Sequence, residues 1–293
     1  MPSYSYENSI KSNKSDERIN VYLQRPIAGL IVRALYPTPV SPNHLTIVSI
    51  LFGVLGGVLV ALPDGRLAAA GLCFYLKDVF DSADGQLARA KQQFSRRGRF
   101  LDSIGDFIVD LFLFGGICVF LCRGGMPILI SLSVGVAGFV GMGLRVSYHV
   151  FYQTSYLHRE QKYQMNRISE ELRDQDYLGD RTTLWLQRIF LFLYGWQDRL
   201  MLWLDGWCFR GQNREHGTIP AAWYQDANAL RLSGLLGFGT EYVALTACLL
   251  FGSVSAYLFF TLIFFNGAWL CSVLYRKLFL SRNMSIANSR EDV

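Results

Sequence analysis

The sequence predicts an all-α, polytopic integral membrane helical bundle, with six transmembrane helices and an N-terminal interfacial helix. Three observations predict it. Hydrophobic residues make up 51% of the 293 residues and charged ones only 17%, where a soluble domain carries about 25%. Several apolar runs reach the ~20 residues needed to cross a hydrocarbon core about 30 Å thick. Lys and Arg gather at the ends of those runs, as the cytoplasmic face of a membrane protein requires. Lipid offers no partner for an open sheet edge, so each run is read as a helix.

Residues 1–44 read as a cytoplasmic N-terminal segment. Its first twenty residues are polar, without an apolar core before a cleavage site, and do not read as a signal peptide. Within it, PIAGLIVRALY opens on Pro26, suited to the first turn of a helix. Ile27, Leu30, Ile31 and Ala34 recur at helical spacing between Arg25 and Arg33, which predicts an amphipathic helix in the headgroup region.

Residues 45–152 hold the first four spans, at about 45–62, 67–90, 100–122 and 126–152. The last third of the second is conspicuously polar. Residues 153–232 form an aromatic-rich cytoplasmic or interfacial insertion. In it Arg188, Asp198, Arg199 and Asp205 break up an otherwise apolar stretch, and Trp185, Trp196, Trp203 and Trp207 suit an interfacial belt. Interfacial helices are the expectation there. The remaining residues, 233–293, hold spans at about 233–251 and 254–280 and a cytoplasmic tail.

Orientation follows from the loops. One side receives LPDGR, CRGGM and FGSVS; the other receives Lys91, Arg96, Arg97 and Arg99 of the KQQFSRRGR loop, the insertion and the tail. Both termini are predicted to be cytoplasmic, as an even number of spans requires. The same distribution accounts for the net charge of +5, so no nucleic-acid partner is expected. The six cysteines lack metal-ligand spacing and read as small apolar fillers. Gly53 and Gly57, with Gly135, Gly138 and Gly141, let helices approach closely. They serve either a dimer face or packing within one bundle.

The chemistry lies in DSADGQLARAKQQFSRRGRFLDSIGD, residues 81–106. Asp81 and Asp84 are three apart and Asp102 and Asp106 four apart, so on helices each pair shares a face. The second and third spans are antiparallel, which brings the pairs together near the cytoplasmic ends. Asp78 and Asp110 continue the stripes one turn deeper. An ionisable residue at a helix centre costs about 2.5–3.5 kcal/mol on insertion scales, and clustered carboxylates repel one another. A divalent cation relieves both penalties. Oxygen-only ligands favour Mg2+, with Mn2+ or Ca2+ as alternatives, and the absence of His or Cys argues against zinc. Asp81, Gly85 and Arg89 share a stripe on which Gly85 lets a ligand approach the backbone and Arg89 can fork onto phosphate oxygens.

This segment resembles the signature of the CDP-alcohol phosphotransferase (CDP-alcohol phosphatidyltransferase) family, D-x2-D-G-x2-A-R-x8-G-x3-D-x3-D. Asp81, Asp84, Gly85, Ala88, Arg89, Gly98, Asp102 and Asp106 fall in place without a gap. The six-span core and the SPNHLT entry to the first span are similar to the family as well. The resemblance implies a Mg2+-dependent transfer of a substituted phosphate group from a CDP-alcohol to a hydroxyl acceptor, with release of CMP. It implies that Asp81, Asp84, Asp102 and Asp106 hold two Mg2+ or Mn2+ ions and that Asp106 is the general base. Arg89 would hold the donor diphosphate, Gly85 would admit its cytidine side, and Asn43, Thr46 and Ser95 would line the nucleotide pocket. CDP-diacylglycerol is the expected donor, for phospholipid biosynthesis; a soluble CDP-polyol or CDP-amino alcohol is the alternative. The expected location is a bacterial plasma membrane with the active site facing the cytoplasm, among membrane lipids, with a homodimer as one arrangement.

Two cations fall outside the signature. Lys77 is placed to neutralise Asp81 or to reach substrate phosphate. Arg145 is placed to bind an anionic acceptor or lipid phosphate, or to snorkel from a helix end. Glu241 and Asn266 are read as acceptor-pocket residues or as interhelical glue. A different class of protein, an intramembrane cation transporter, would use the Asp cluster as its ion site. Intramembrane prenyltransferases place their acidic motifs in distant segments, unlike the single hairpin here.

Overall fold

Five of the six predicted spans are each a continuous helix, and the fifth, 233–251, is broken at Gly237. The computed structural model describes residues 5–9, 16–63, 66–160, 170–209 and 220–282, and no strand occurs among them. The outer ends of the N-terminal segment and tail, Asp64 and Gly65 of LPDGR, and parts of the insertion (161–169 and 210–219) lie outside the described residues.

Helix α1 (Arg25–Leu35) is amphipathic in the predicted sense. Ala28, Gly29 and Val32 are buried against α3, whereas Leu30 is 69% exposed beside Ile27 and Ala34. Helix α2 (Pro42–Ala61) starts at a capping box in which the Ser41 backbone N–H donates to His44 Nδ1 at 3.1 Å, with Pro42 in the first turn. Helices α3 (Leu67–Ala90) and α4 (Arg96–Arg123) pack closely on α2.

Glycine makes that approach possible. A Cβ on Gly57 would meet the Phe112 backbone at 2.6 Å, and one on Gly116 would meet the Gly57 carbonyl at 2.3 Å. Gly53 similarly admits Val109, and Gly135 and Gly138 of α5 admit Cys118 and Phe114. These glycines are spent inside one chain, so the GxxxG pair offers no free dimer face.

Helix α5 (Ile128–Arg159) returns alongside α4, and short α6 (Asp174–Tyr177) leads into α7 (Arg181–Phe209). Helix α7 is one 29-residue helix, not a set of short ones. Phe190 packs tilted against Phe100 and Tyr194 edge-on against Phe107 on α4, Gln197 accepts a hydrogen bond from Ser147, and Asp205 accepts from Tyr152 at 2.7 Å. It thus crosses the inner parts of α4 and α5, with Trp185, Trp196, Trp203 and Trp207 exposed. Asp205 also accepts from Trp223 and Tyr224 of α8 (Ala221–Gln225), each at 2.8 Å, and the insertion shares a second core with α5 and the C-terminal helix.

Helices α9 (Ala227–Ser233), α10 (Phe238–Leu250) and α11 (Val254–Leu280) complete the bundle, with π-helical turns at Phe260–Phe264 and Tyr275–Leu280 within α11. Helix α10 lies against α3. The main core gathers where α2, α3, α4, α5, α10 and α11 meet, around Phe74, Leu113, Phe114, Tyr242 and Tyr257.

Among the described residues, four helices are long and apolar enough to cross a membrane: α2, α4, α5 and α11. A fifth crossing is formed if residues 227–236 and α10, bent by 44°, count as one span. The predicted second span, α3, falls outside this set. Lys77, Asp78, Asp81, Asp84 and Arg89 make its inner half too charged, and it is instead enclosed by α1, α2 and α10. The chain is an all-α, polytopic membrane protein.

Candidate active site

The inner ends of α3 and α4 form an antiparallel hairpin. Helix α3 ends as Gln92 adopts a left-handed φ of +54°, and the Gln93 N–H returns to the Ala88 carbonyl at 2.9 Å. Lys91 then ties the turn to the α1–α2 connection, donating to the Thr38 and Val40 carbonyls at 2.7 Å each. Ser95 starts α4 as its N-cap, its Oγ accepting from the Gly98 N–H at 2.9 Å. Gly98 has to be small: a Cβ there would lie 2.9 Å from Asn43 Oδ1 and 3.0 Å from Ser95 Oγ.

The hairpin gathers the acids. Carboxylate oxygens of Asp81, Asp102 and Asp106 lie within 4.8 Å of one another. Asp84 lies outside that trio and accepts a 2.5 Å hydrogen bond from Thr46 Oγ1 of α2. Three clustered oxygen donors, with no nitrogen or sulfur ligand in the group, fit a hard ion such as Mg2+ or Mn2+. The deeper acids are occupied otherwise: Asp78 accepts from Gln24, and Asp110 from Tyr242 at 2.9 Å.

Lys77 sits beneath the trio. Its ammonium is 2.6 Å from Asp106 Oδ1 and 3.5 Å from Asp81 Oδ1, so its main partner is Asp106 rather than the Asp81 expected from spacing. The side chain is fully buried, and it lines neither of the two cavities at the site.

Those cavities meet at the carboxylates. The first, about 280 Å³, is bordered by Asn43, Thr46, Gly85, Arg89 and Ser95, every residue expected to line a nucleotide pocket. The second, about 430 Å³, runs between α4, α5 and α7 along Phe107, Phe139, Val146, Phe151 and Tyr194. Asp81, Arg99 and Asp102 border both cavities, and Asp106 borders the second. A ligand in either space therefore ends at the same oxygens.

Arg145 is elsewhere. Its Nη2 donates to both Glu241 oxygens at 2.7 and 2.8 Å and to Thr261 Oγ1 at 2.9 Å, and its Nη1 donates to Asn266 Oδ1 at 2.6 Å. It borders neither cavity. The expectation of an acceptor or phosphate contact is corrected: a buried guanidinium takes the nearest carboxylate, and Glu241 and Asn266 act as glue between α5, α10 and α11.

Sequence reasoning missed the N-terminal contribution. Asp16, Asn20 and Arg25 border the polar cavity, with Arg25 paired to Asp16, and Arg89 Nε donates to the Ser9 carbonyl at 2.5 Å. No local signal announces contacts between residues some 60 to 80 positions apart. Arg99 could have been found, since it stands three residues before Asp102 on the same helix face. Arg99 and Arg96 also anchor the insertion, both pairing with Glu170.

The fold and site define a helical membrane protein with a cluster of three carboxylates that could hold a metal ion, set between a polar and a more apolar cavity. Residues 39–209 match the family model described as CDP-alcohol phosphatidyltransferase, and the chain belongs to that family. A bifunctional IPC transferase and DIPP synthase of Thermococcus kodakarensis is 35% identical over 97 residues, 32% of this chain and 21% of the relative. Phosphatidylinositol phosphate synthases of Streptomyces avermitilis and Corynebacterium glutamicum are 34% and 37% identical, over 34% and 31% of this chain and 39% and 40% of their own lengths. The matched regions thus span about a fifth to two fifths of these relatives.

Proposed function

We propose that the protein transfers a substituted phosphate group from a CDP-alcohol, with CDP-diacylglycerol as donor, to a hydroxyl acceptor, releasing CMP in phospholipid synthesis. One observation carries this reading: a polar cavity bordered by the signature residues and a second, largely apolar one converge on Asp81 and Asp102. A donor with a nucleotide at one end and a lipid at the other needs two such spaces joined at a diphosphate. The names of the phosphatidylinositol phosphate synthases make a phosphorylated polyol the first acceptor to try.

The residues divide the work. Arg89 and Arg99 can fork onto the diphosphate oxygens, and Gly85 leaves the α3 backbone open on that side. Asp81, Asp84 and Asp102 would hold Mg2+ or Mn2+. When bound, the metal neutralises charge on the diphosphate and on the departing CMP. Lys77 fixes Oδ1 of Asp106, which leaves Oδ2 to take the acceptor's proton. The acceptor oxygen bonds to the alcohol-bearing phosphorus as the bond from that phosphorus to the CMP oxygen breaks. The products are a phosphodiester and CMP, with the proton on Asp106.

The test is CMP release from purified protein in lipid, given CDP-diacylglycerol with candidate acceptors and then soluble CDP-alcohols. Release with the lipid donor alone is expected. Release only with a soluble donor would replace the donor assignment, and Mg2+ flux without CMP release would favour a transporter. We also place the site on the cytoplasmic side of a bacterial plasma membrane, on the basic 91–99 loop. Single cysteines in that loop should then label only from the inside.

A further inference from the structure

We propose that Lys77 is a resident cation that stands in for a second metal ion beside Asp106, so that the site binds one divalent ion. This rests on the metal-dependent reading above and refines it, since the family resemblance implies two ions.

Lys77 Nζ lies 2.6 Å from Asp106 Oδ1 and 3.5 Å from Asp81 Oδ1, and its side chain borders neither cavity. A site with two ions sets them about 3.5–4 Å apart and shares carboxylates between them. In the Asp81–Asp102–Asp106 trio, Asp106 is the carboxylate available for the deeper ion. An ion there would sit within a few ångströms of a fixed positive charge, in surroundings that screen charge poorly.

The ammonium has no other place to go. Its stem passes Gly53, whose Cβ would lie 3.1 Å from Lys77 Cγ, and its carbonyl accepts from Ser49 Oγ at 2.9 Å. Beyond the ammonium, the Tyr242 and Phe238 rings of α10 lie 4.7 and 5.3 Å away and face the charge. Tyr242 is held in turn by Asp110. Stem, backbone and head are each fixed, and the whole side chain is buried. Two aromatic rings and a glycine gap built around one lysine make a cation site whose occupant is covalently attached. Lys77 then acts as a positioning residue: it holds one oxygen of Asp106 and, as a fixed charge beside the Asp81–Asp102–Asp106 group, leaves that group room for a single metal.

The test counts Mn2+ by electron paramagnetic resonance on the full chain in lipid nanodiscs, without substrate and again with CDP. The wild type should bind one tight Mn2+ with the spectrum of an isolated ion. Lys77→Met should bind two, with the line broadening of ions about 4 Å apart, and at least tenfold tighter second-site binding than wild type. Lys77→Arg, which keeps the charge, should stay at one. Lys77→Gln is a second neutral variant should the methionine chain fail to fold. A coupled two-ion spectrum in the wild type would overturn the proposal and leave the metal-dependent reading standing. So would neutral variants that fold and still bind one. Absence of bound Mn2+ from every chain would overturn both.

Discussion

Glu17 caps the start of α10 across more than two hundred residues: its Oε2 accepts from the Thr240 N–H at 2.7 Å and from Thr240 Oγ1 at 2.8 Å. Its Oε1 accepts from the Gly239 N–H at 3.3 Å and from Asn20 Nδ2 at 3.2 Å. Gly237 and Gly239 make room, since a Cβ at either would collide with Glu17 or Asn20. This contact docks the N-terminal segment that closes one side of the polar cavity.

Burial, reinforced by the neighbouring Asp16 charge, raises the Glu17 pKa to about 7, against the bonds from Thr240 and Gly239 that lower it. A carboxyl raised in the folded state contributes stability that is complete below its unfolded pKa near 4.5 and is lost as pH rises through about 7. Unfolding free energy should therefore fall between pH 5 and pH 8, by an amount on the order of 3 kcal/mol, and the wild-type melting temperature with it. Glu17→Gln should flatten that dependence. A variant with the wild-type slope would show that the proton is held elsewhere.

Asp106→Asn removes the group assigned to the acceptor's proton while keeping shape. Turnover should drop by about 10²–10⁴-fold, with CDP binding by calorimetry nearly unchanged. Near-normal CMP release from this variant would sink the base assignment.

Thr46 does its work through Asp84. Thr46→Val removes the 2.5 Å hydrogen bond that orients the carboxylate, and losing such a supporting partner costs about 10–100-fold in metal affinity. The measurement is Mg2+ dependence of CMP release beside direct Mn2+ binding. Unchanged values would detach Asp84 from the metal centre.

Arg145→Met leaves Glu241 buried without its counter-charge. Breaking such a pair costs about 3–5 kcal/mol, so the variant should melt at a much lower temperature. Where it remains folded, its KM for the acceptor should match wild type, because Arg145 borders neither cavity. A KM rise without loss of stability would restore the substrate contact.

Gly57→Leu forces a side chain against the Phe112 backbone, which cannot swing aside. Overpacking of this kind costs about 1–3 kcal/mol. Stability should fall and the oligomeric state in detergent should not change; the reverse pattern would make Gly57 an interface residue.

By itself the sequence determined the all-helical membrane class and the residues of the signature, but not the number of crossings. Those properties are local. Apolar run length, charge at run ends and three- and four-residue spacing are read along one helix, and Asp81, Asp84, Asp102 and Asp106 belong to one short hairpin. The tertiary structure alone decided what each charge meets. Spacing pointed Lys77 towards Asp81, but the packing of α3 and α4 on α2 and the rings of α10 set it on Asp106. Arg145, free to reach substrate as far as the sequence showed, is held by Glu241 from a helix nearly a hundred positions away. Burial makes an unpaired charge costly, so Lys77 and Arg145 are each drawn to an acid near in space, and nearness in space depends on how helices pack, which no single helix records.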